Sequence, residues 1–501
     1  MKAVFALALI VALSACGSRQ RLKPEAGHSL PQKPYAAKTV PTPEQLMTPT
    51  NQARPQRIDE LLSHSEKRKA DPFDLPHRAE FMNHFDYRNG ILHCEDVPLT
   101  DIARHVGTPV YVYSRATLER HAQVFQKAVA QAGKVDVAFA VKANPNLAVL
   151  RVLAREGMGA DVVSGGELER ALAAGMAPER IVFSGVGKTG VELAQGLDRD
   201  IGQFNIESEE EGMELAAIAA AKGLVADAVL RVNPDVDAGT HAKISTGKAE
   251  NKFGVPIGHA IAIYTRLAAL PGLNMRGVAL HIGSMLENLE PLAAAFGRIG
   301  TLVETIRSGG LSVSHVDLGG GLGVPYRPGE NPPTPEDYGA MVARVTKGWD
   351  VTLMFEPGRV IVGNAGVLLT SVIRVKPGIQ HPFVIVDAAM NDLARPALYD
   401  AYHHFDPVAQ TREMMTANIV GPVCESADTF AMARECGAVR AGDLAVFRTA
   451  GAYGATMAST YNSRALVPEV LVDGGRYAVV ADRIAAATIM GAERVPEWLM
   501  S

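Results

Sequence analysis

The chain has 501 residues, 47% of them apolar, and a formal net charge of −5; this suits two or more globular domains and argues against a nucleic-acid-binding protein, which carries a basic surface. Its cysteines, Cys16, Cys94, Cys424 and Cys436, show no Cys-x-x-Cys spacing and make no disulfide scaffold. His403-His404 lacks a partner motif of metal-ligand type, so no structural metal is expected.

In chain order, Met1-Lys2 leads into the apolar stretch Ala3–Leu13, too short to span a bilayer, and then into Leu13-Ser14-Ala15-Cys16-Gly17. This resembles a bacterial lipoprotein signal over 1–16, with Cys16 the candidate for lipidation and the chain's only expected route to a membrane. Residues 17–80 are rich in Pro, Gln, Thr and charge, cannot bury a core, and are expected to be disordered. Met82 opens the globular patterning and offers a second translation start. A segment over 81–114 is expected to pack with a later β domain.

From residue 135 onward a short β-branched or apolar run alternates with a longer amphipathic segment. The runs fall at Val135–Val141, Gly159–Ser164, Ile181–Ser184, Phe204–Ile206, Ala226–Val232, Gly277–Ile282, His315–Leu318 and Val351–Phe355. Helices are expected between them, for example at Glu207–Ala221 and Leu289–Ile306. Eight βα units predict a TIM-type (β/α)8 barrel over 115–362 rather than an open sheet.

Polar residues follow these strands at one expected end of the barrel, where barrel enzymes keep their chemistry: Lys142, Ser164, Ser184, Glu207, Arg231, His281, Gly319-Gly320-Gly321 and Glu356-Pro357-Gly358-Arg359. Desolvation at a strand end lowers the pKa of Lys142 and can leave a nucleophilic amine of the kind Schiff-base chemistry needs. The plain alternative is a lysine that snorkels to solvent. The triple glycine can cradle a phosphate or form a tight turn. It is no dinucleotide fingerprint, because Val324 stands where a further glycine belongs, and no Lys-Ser or Lys-Thr follows as a P-loop requires. Arg359 suits a phosphate or carboxylate, or a surface salt bridge. Glu356 suits a pyridine nitrogen, whose protonation makes a stronger electron sink. His281 would lie over the pocket or serve as a hydrogen-bonded core residue. Amine, acid partner and phosphate cradles together suggest pyridoxal phosphate.

Past the barrel, apolar runs at Val367–Val375, Pro382–Val386, Leu444–Phe447 and Glu469–Val480 are separated by Gly, Pro and Asp, which predicts a β-rich, Greek-key-like domain over 363–501. Arg395 and Tyr399 place a guanidinium and a phenol close together, suited to gripping a carboxylate. Cys424-Glu425 sets a thiol beside an acid, and Gly451-Ala452-Tyr453-Gly454 offers another phenol.

From about Phe81 to the C-terminus the chain resembles the barrel-fold pyridoxal-phosphate decarboxylases of basic amino acids, and among them the branch acting on diaminopimelate. The resemblance rests on Phe139-Ala140-Val141-Lys142-Ala143-Asn144, Val278-Ala279-Leu280-His281-Ile282-Gly283-Ser284, the triple-glycine loop, Glu356-Pro357-Gly358-Arg359 and Leu230-Arg231-Val232. It implies Lys142 as the cofactor lysine, His281 stacked on the cofactor ring, and Glu356 at the pyridine nitrogen. Arg231, Ser284, Gly320, Gly321, Gly358, Arg359 and Tyr453 would complete the cofactor site. Arg359, Arg395, Tyr399, Glu425 and Tyr453 would bind substrate, and Cys424 would donate a proton from the partner subunit of a homodimer. The implied reaction is decarboxylation of meso-diaminopimelate to L-lysine, the last step of lysine biosynthesis. The paired Arg395 and Arg359 favour a substrate with a distal carboxylate, which ornithine lacks. Alternatives are a decarboxylase of another basic or diamino acid, a pyridoxal-phosphate racemase, or an envelope lipoprotein with an idle barrel. The catalytic region is expected in the cytoplasm if translation starts at Met82, and at a membrane if the signal is used.

Overall fold

A computed structural model describes residues 82–236 and 251–500. The expected signal and extension over 1–80 lie outside the described residues, as does Cys16.

Eight strands make the core of the first layer: β1 (Val135–Ala140), β2 (Gly159–Val162), β3 (Ile181–Phe183), β4 (Gln203–Ile206), β5 (Ala226–Asn233), β6 (Leu273–Ala279), β7 (His315–Asp317) and β8 (Thr352–Phe355). All neighbours pair parallel, and β8 returns to β1 through Leu353↔Val135 and Phe355↔Val137, so the barrel closes. Closure leaves no free sheet edge. Inside it, Ala138, Val182 and Met354 form an apolar plug from three strands. The helix Arg115–Val129 precedes β1 yet packs against both Pro335–Val345 and Leu147–Arg155, completing the outer ring.

Local chemistry sets the helix starts. Thr189 and Thr334 form reciprocal capping boxes with Glu192 and Asp337. The helix expected from Glu207 begins at Glu209, because Ser208 Oγ accepts the Glu211 N–H at 3.2 Å and caps it. Glu207 is thereby left for other partners. Ser164 is likewise a cap, accepting from Glu167 N at 3.2 Å, and is absent from the cavity wall.

The second layer is a mixed sheet whose centre is the strand Gly366–Lys376. Val110–Ser114, from before the barrel, pairs antiparallel with it and parallel with Glu469–Asp473. Val110 and Val112 face one apolar cluster, shared with Leu92 and Leu99, while Tyr111 and Tyr113 face the main core. This is the alternation a strand buried on both faces requires. The run expected as one strand over Glu469–Val480 is instead a hairpin, Glu469–Asp473 and Arg476–Ala481, turning at Gly474-Gly475. Among the described residues no helix is long and apolar enough to cross a membrane.

His121 ties the barrel together in a pH-sensitive way: Nδ1 lies 3.1 Å from Ile361 O and Nε2 3.2 Å from Met82 O. Burial holds its pKa down to about 4, against the pull of both carbonyls. A depressed folded-state pKa stabilises the fold above the ordinary value of 6.5 and loses that contribution as pH falls toward 4. His121→Gln is therefore expected to remove up to about 3 kcal/mol of acid sensitivity, read as unfolding midpoints at neutral and mildly acidic pH. Parallel pH curves for the two proteins would refute it.

Candidate active site

The C-terminal ends of β1 to β8 open into a cavity of about 960 Å³, lined also by residues of the β layer. Lys142 follows β1 in a single turn, Val141–Ala143. Its Nζ lies 2.5 Å from Asp161 Oδ2, on β2. The parallel register pairs Ala140 with Asp161, which brings the acid beside the lysine. Burial alone would lower the lysine pKa, but the Asp161 carboxylate raises it, and the value lies above that of an ordinary lysine. The Asp161 pair thus favours the ammonium form of Lys142, against the expectation of an amine poised near neutrality.

Beneath the lysine runs a buried polar network. Asn205 Nδ2 donates to Ser184 Oγ at 2.9 Å, to Asp317 Oδ2 at 3.0 Å and to Glu356 Oε1 at 3.2 Å. Burial, together with the Asp161 and Asp317 charges, pushes the Glu356 pKa well up. Two carboxyls this deep cannot both ionise, so Glu356 holds a proton and shares it with Asp317.

His281 follows β6, and its Nδ1 accepts the Gly320 N–H at 3.3 Å, which leaves the proton on Nε2. Burial, then the Arg231 and Lys142 charges, lowers its pKa to about 3, so the ring is neutral. Arg231 pairs with Glu207 at 2.5 Å and stacks on Phe253. The glycine loop is locked between strand ends: a Cβ on Gly320 would lie 2.3 Å from Glu356 O. On Gly321, at φ +114°, one would lie 2.5 Å from Gly283 O. Only bare backbone fits there.

Toward the β layer, Arg359 Nη1 donates to Tyr326 Oη at 2.6 Å and Nη2 to Ser284 Oγ at 3.2 Å. Tyr453 lies under the same guanidinium, 4.8 Å from ring centre to Cζ, and its N–H donates to Ala143 O at 2.8 Å. Arg395 packs over the Tyr326 ring at 4.8 Å. The cavity therefore gathers Lys142, Arg231, His281, Ser284, Gly320, Gly321, Glu356, Gly358, Arg359, Arg395, Tyr399 and Tyr453. It does not gather Cys424 or Glu425, which are exposed on a loop outside the wall of their own chain's cavity.

Sequence reading missed Asp161, the Asn205–Asp317 pair, Tyr326 and the contact of His403 with Arg395. Asp161 had a signal, a lone acid inside the apolar strand Gly159–Val162. Asn205 and Asp317 are likewise polar residues on short strands, each strand carrying a second polar residue; Tyr326, in a loop, had no signal.

The donor set fits pyridoxal phosphate: an amine at the strand end, a buried proton-holding carboxyl, a neutral imidazole, and a bare-backbone loop beside Arg359. Residues 115–363 match the family described as "Pyridoxal-dependent decarboxylase, pyridoxal binding domain". The chain is 52% identical over 418 residues to diaminopimelate decarboxylase of Zymomonas mobilis, covering 83% of this chain and 99% of that one. Against the Vibrio cholerae diaminopimelate decarboxylase it is 46% identical over 417 residues, with coverage of 83% and 99%. The crystal structure of diaminopimelate decarboxylase from M. jannaschii in co-complex with L-lysine superposes with a TM-score of 0.81 at 34% identity, covering 84% of this chain and 99% of that one. With the cavity built as described, these likenesses over nearly the whole length of each relative show that the chain belongs to the diaminopimelate decarboxylase family.

Proposed function

We infer that this chain is a pyridoxal-phosphate-dependent carboxy-lyase that converts meso-2,6-diaminopimelate to L-lysine and CO2. One observation carries the choice of substrate: the cavity buries two guanidiniums, Arg359 and Arg395, that form no ion pair with a carboxylate among the described residues. Buried cations without an anion are costly. A substrate carboxylate at the far end from the reacting carbon would complete them. Ornithine and arginine bring none.

Pyridoxal phosphate, when bound, supplies an electron sink for the pair left as the Cα–carboxylate bond breaks. Lys142 Nζ would hold the cofactor, and Asp161 Oδ2 is the adjacent base for the ammonium proton. Glu356 would keep a proton at the ring nitrogen, and the neutral His281 would cover the ring without adding charge. Gly320, Gly321, Gly358, Ser284, Arg231 and Tyr453 would surround the cofactor, with Tyr399 on the substrate and Glu425 reaching it from a second copy of the chain. Cys424 would return a proton to Cα from a second copy of the chain, since its own chain exposes it away from the cavity. A homodimer with shared sites follows from that assignment. The domain division proposed is a cofactor-binding barrel over 115–362, with 81–114 and 363–501 forming the β layer. From sequence alone we also propose a lipoprotein signal over 1–16 with Cys16 lipidated, testable by acyl labelling of Cys16→Ser against the parent chain.

The test of function is CO2 release by the purified full-length chain from meso-diaminopimelate, L-ornithine and L-arginine, with and without added cofactor. Cofactor-dependent turnover of diaminopimelate alone is expected. Comparable turnover of either control would overturn the distal-carboxylate reading.

A further inference from the structure

The two buried guanidiniums differ in what holds them. Arg359 is gripped by hydroxyls, whereas Arg395 Nη1 donates to a ring nitrogen, His403 Nε2, at 2.8 Å. Arg395 also bonds the Tyr326 hydroxyl, which it shares with Arg359, and its Nη2 meets a weak acceptor, Met285 Sδ, at 3.6 Å. His403 is 2% exposed, and its Nδ1 lies 2.9 Å from the Arg448 carbonyl oxygen. A carbonyl can only accept and a guanidinium can only donate. Both neighbours therefore select one state of the ring, neutral, with the proton on Nδ1 and Nε2 bare. Burial, then the Arg395 charge, brings the His403 pKa down to about 3, which preserves that state.

The rest of the surroundings fix the ring in place. Its edge meets the Tyr326 ring at 5.4 Å and 89°, and Arg434 Nη1 donates to the His403 carbonyl at 3.0 Å. Arg448, whose carbonyl orients the ring, is itself paired with the half-buried Asp406. The neighbouring His404 takes no part, because its Nε2 is 3.0 Å from Asp406 Oδ1. The chain reaches this arrangement by ending the helix Arg395–Tyr399 at Asp400, in the left-handed region at φ 51°, which folds His403 back onto Arg395.

We propose that His403 is a positioning residue for substrate recognition: its bare Nε2 anchors one arm of Arg395 so that the remaining N–H groups present a fixed donor edge to the distal carboxylate. This rests on Arg395 being a carboxylate ligand, as inferred above. An arginine side chain loses its aim readily when its anchoring acceptor is removed, and bidentate binding depends on that aim.

The test compares steady-state KM and kcat of the full-length holoenzymes, with melting temperature and cofactor absorbance recorded for each. His403→Phe keeps a ring against Tyr326 and deletes both polar bonds; it is expected to raise KM for diaminopimelate about tenfold or more while kcat moves less than about threefold. His403→Gln offers an acceptor oxygen to Arg395 and an amide donor to the Arg448 carbonyl, and should recover KM to within about threefold. Arg395→Gln should raise KM by itself. If it does not, the carboxylate assignment of Arg395 falls, and this inference with it. If Arg395→Gln raises KM and His403→Phe leaves it unchanged, only the role of His403 falls. Equal losses of kcat and cofactor absorbance in the Phe and Gln variants would show a merely structural histidine and overturn the proposal. Should His403→Phe not fold, His403→Met is read by the same criteria.

Discussion

Lys142→Ala is expected to abolish the long-wavelength absorbance of lysine-linked cofactor and to reduce CO2 release on the order of 10³- to 10⁴-fold, the upper range for one positioned acid–base group. The expectation follows from placement. Lys142 Nζ sits 2.5 Å from Asp161 Oδ2, and Asp161 is fully buried. That acid favours the ammonium form of the amine. The pair brings the nucleophile and the group that can take its proton to one point, so removing the amine leaves Asp161 an uncompensated buried charge as well as ending the chemistry. A retained absorbance band in the variant would rule out Lys142 as the anchoring residue. The same variant tests the shared site. If Cys424 acts across two copies, mixing Lys142→Ala chains with Cys424→Ala chains, each nearly inactive, should restore turnover, because one of the two sites in a mixed dimer regains both groups. No recovery on mixing would place the proton donor elsewhere.

The barrel was legible because each strand is a short apolar run that stops at a polar residue, and because the helices between them carry their own caps, as at Thr189 and Thr334. Most of the expected residues on the cavity wall were legible for the same reason: they follow strand ends, which a parallel barrel collects at one face. What the chain order hid was lateral. Whether Lys142 is neutral or charged depends on Asp161, nineteen residues away and opposite Ala140 only through the β1–β2 register. Desolvation could be anticipated from the apolar run; that Asp161 would lie beside Lys142 could not. His403 lies eight residues from Arg395, a spacing at which no continuous helix would bring the two side chains together. Only the left-handed turn at Asp400 does so. The hairpin at Gly474-Gly475 was readable, since paired glycines between apolar runs are a turn signal and divide the run Glu469–Val480 in two.

Glu356→Gln should lower kcat on the order of 10²-fold while sparing the fold and the absorbance of lysine-linked cofactor. Glutamine keeps the size of the side chain and can still donate an N–H, but it carries no transferable proton. In the parent chain that proton is held by burial and by the Asp161 and Asp317 charges. Ser184 Oγ and Asn205 Nδ2 reach Glu356 Oε1 at 3.3 Å and 3.2 Å, so one carboxyl oxygen is fixed by donors and the other is left for the proton. The consequence for stability has the opposite sign from that of a salt-bridged acid. A folded-state pKa raised above the unfolded value stabilises the chain below the unfolded pKa, and that contribution is lost as pH rises through the folded value. Replacing the acid by a neutral amide removes the pH-dependent loss. The ligand-free variant should therefore melt no lower than the parent at neutral pH, and its advantage should grow on the alkaline side. A variant that keeps full kcat would show that the proton on Glu356 has no part in the reaction, whereas one that melts well below the parent would show that Glu356 is needed as a carboxylate by its neighbours.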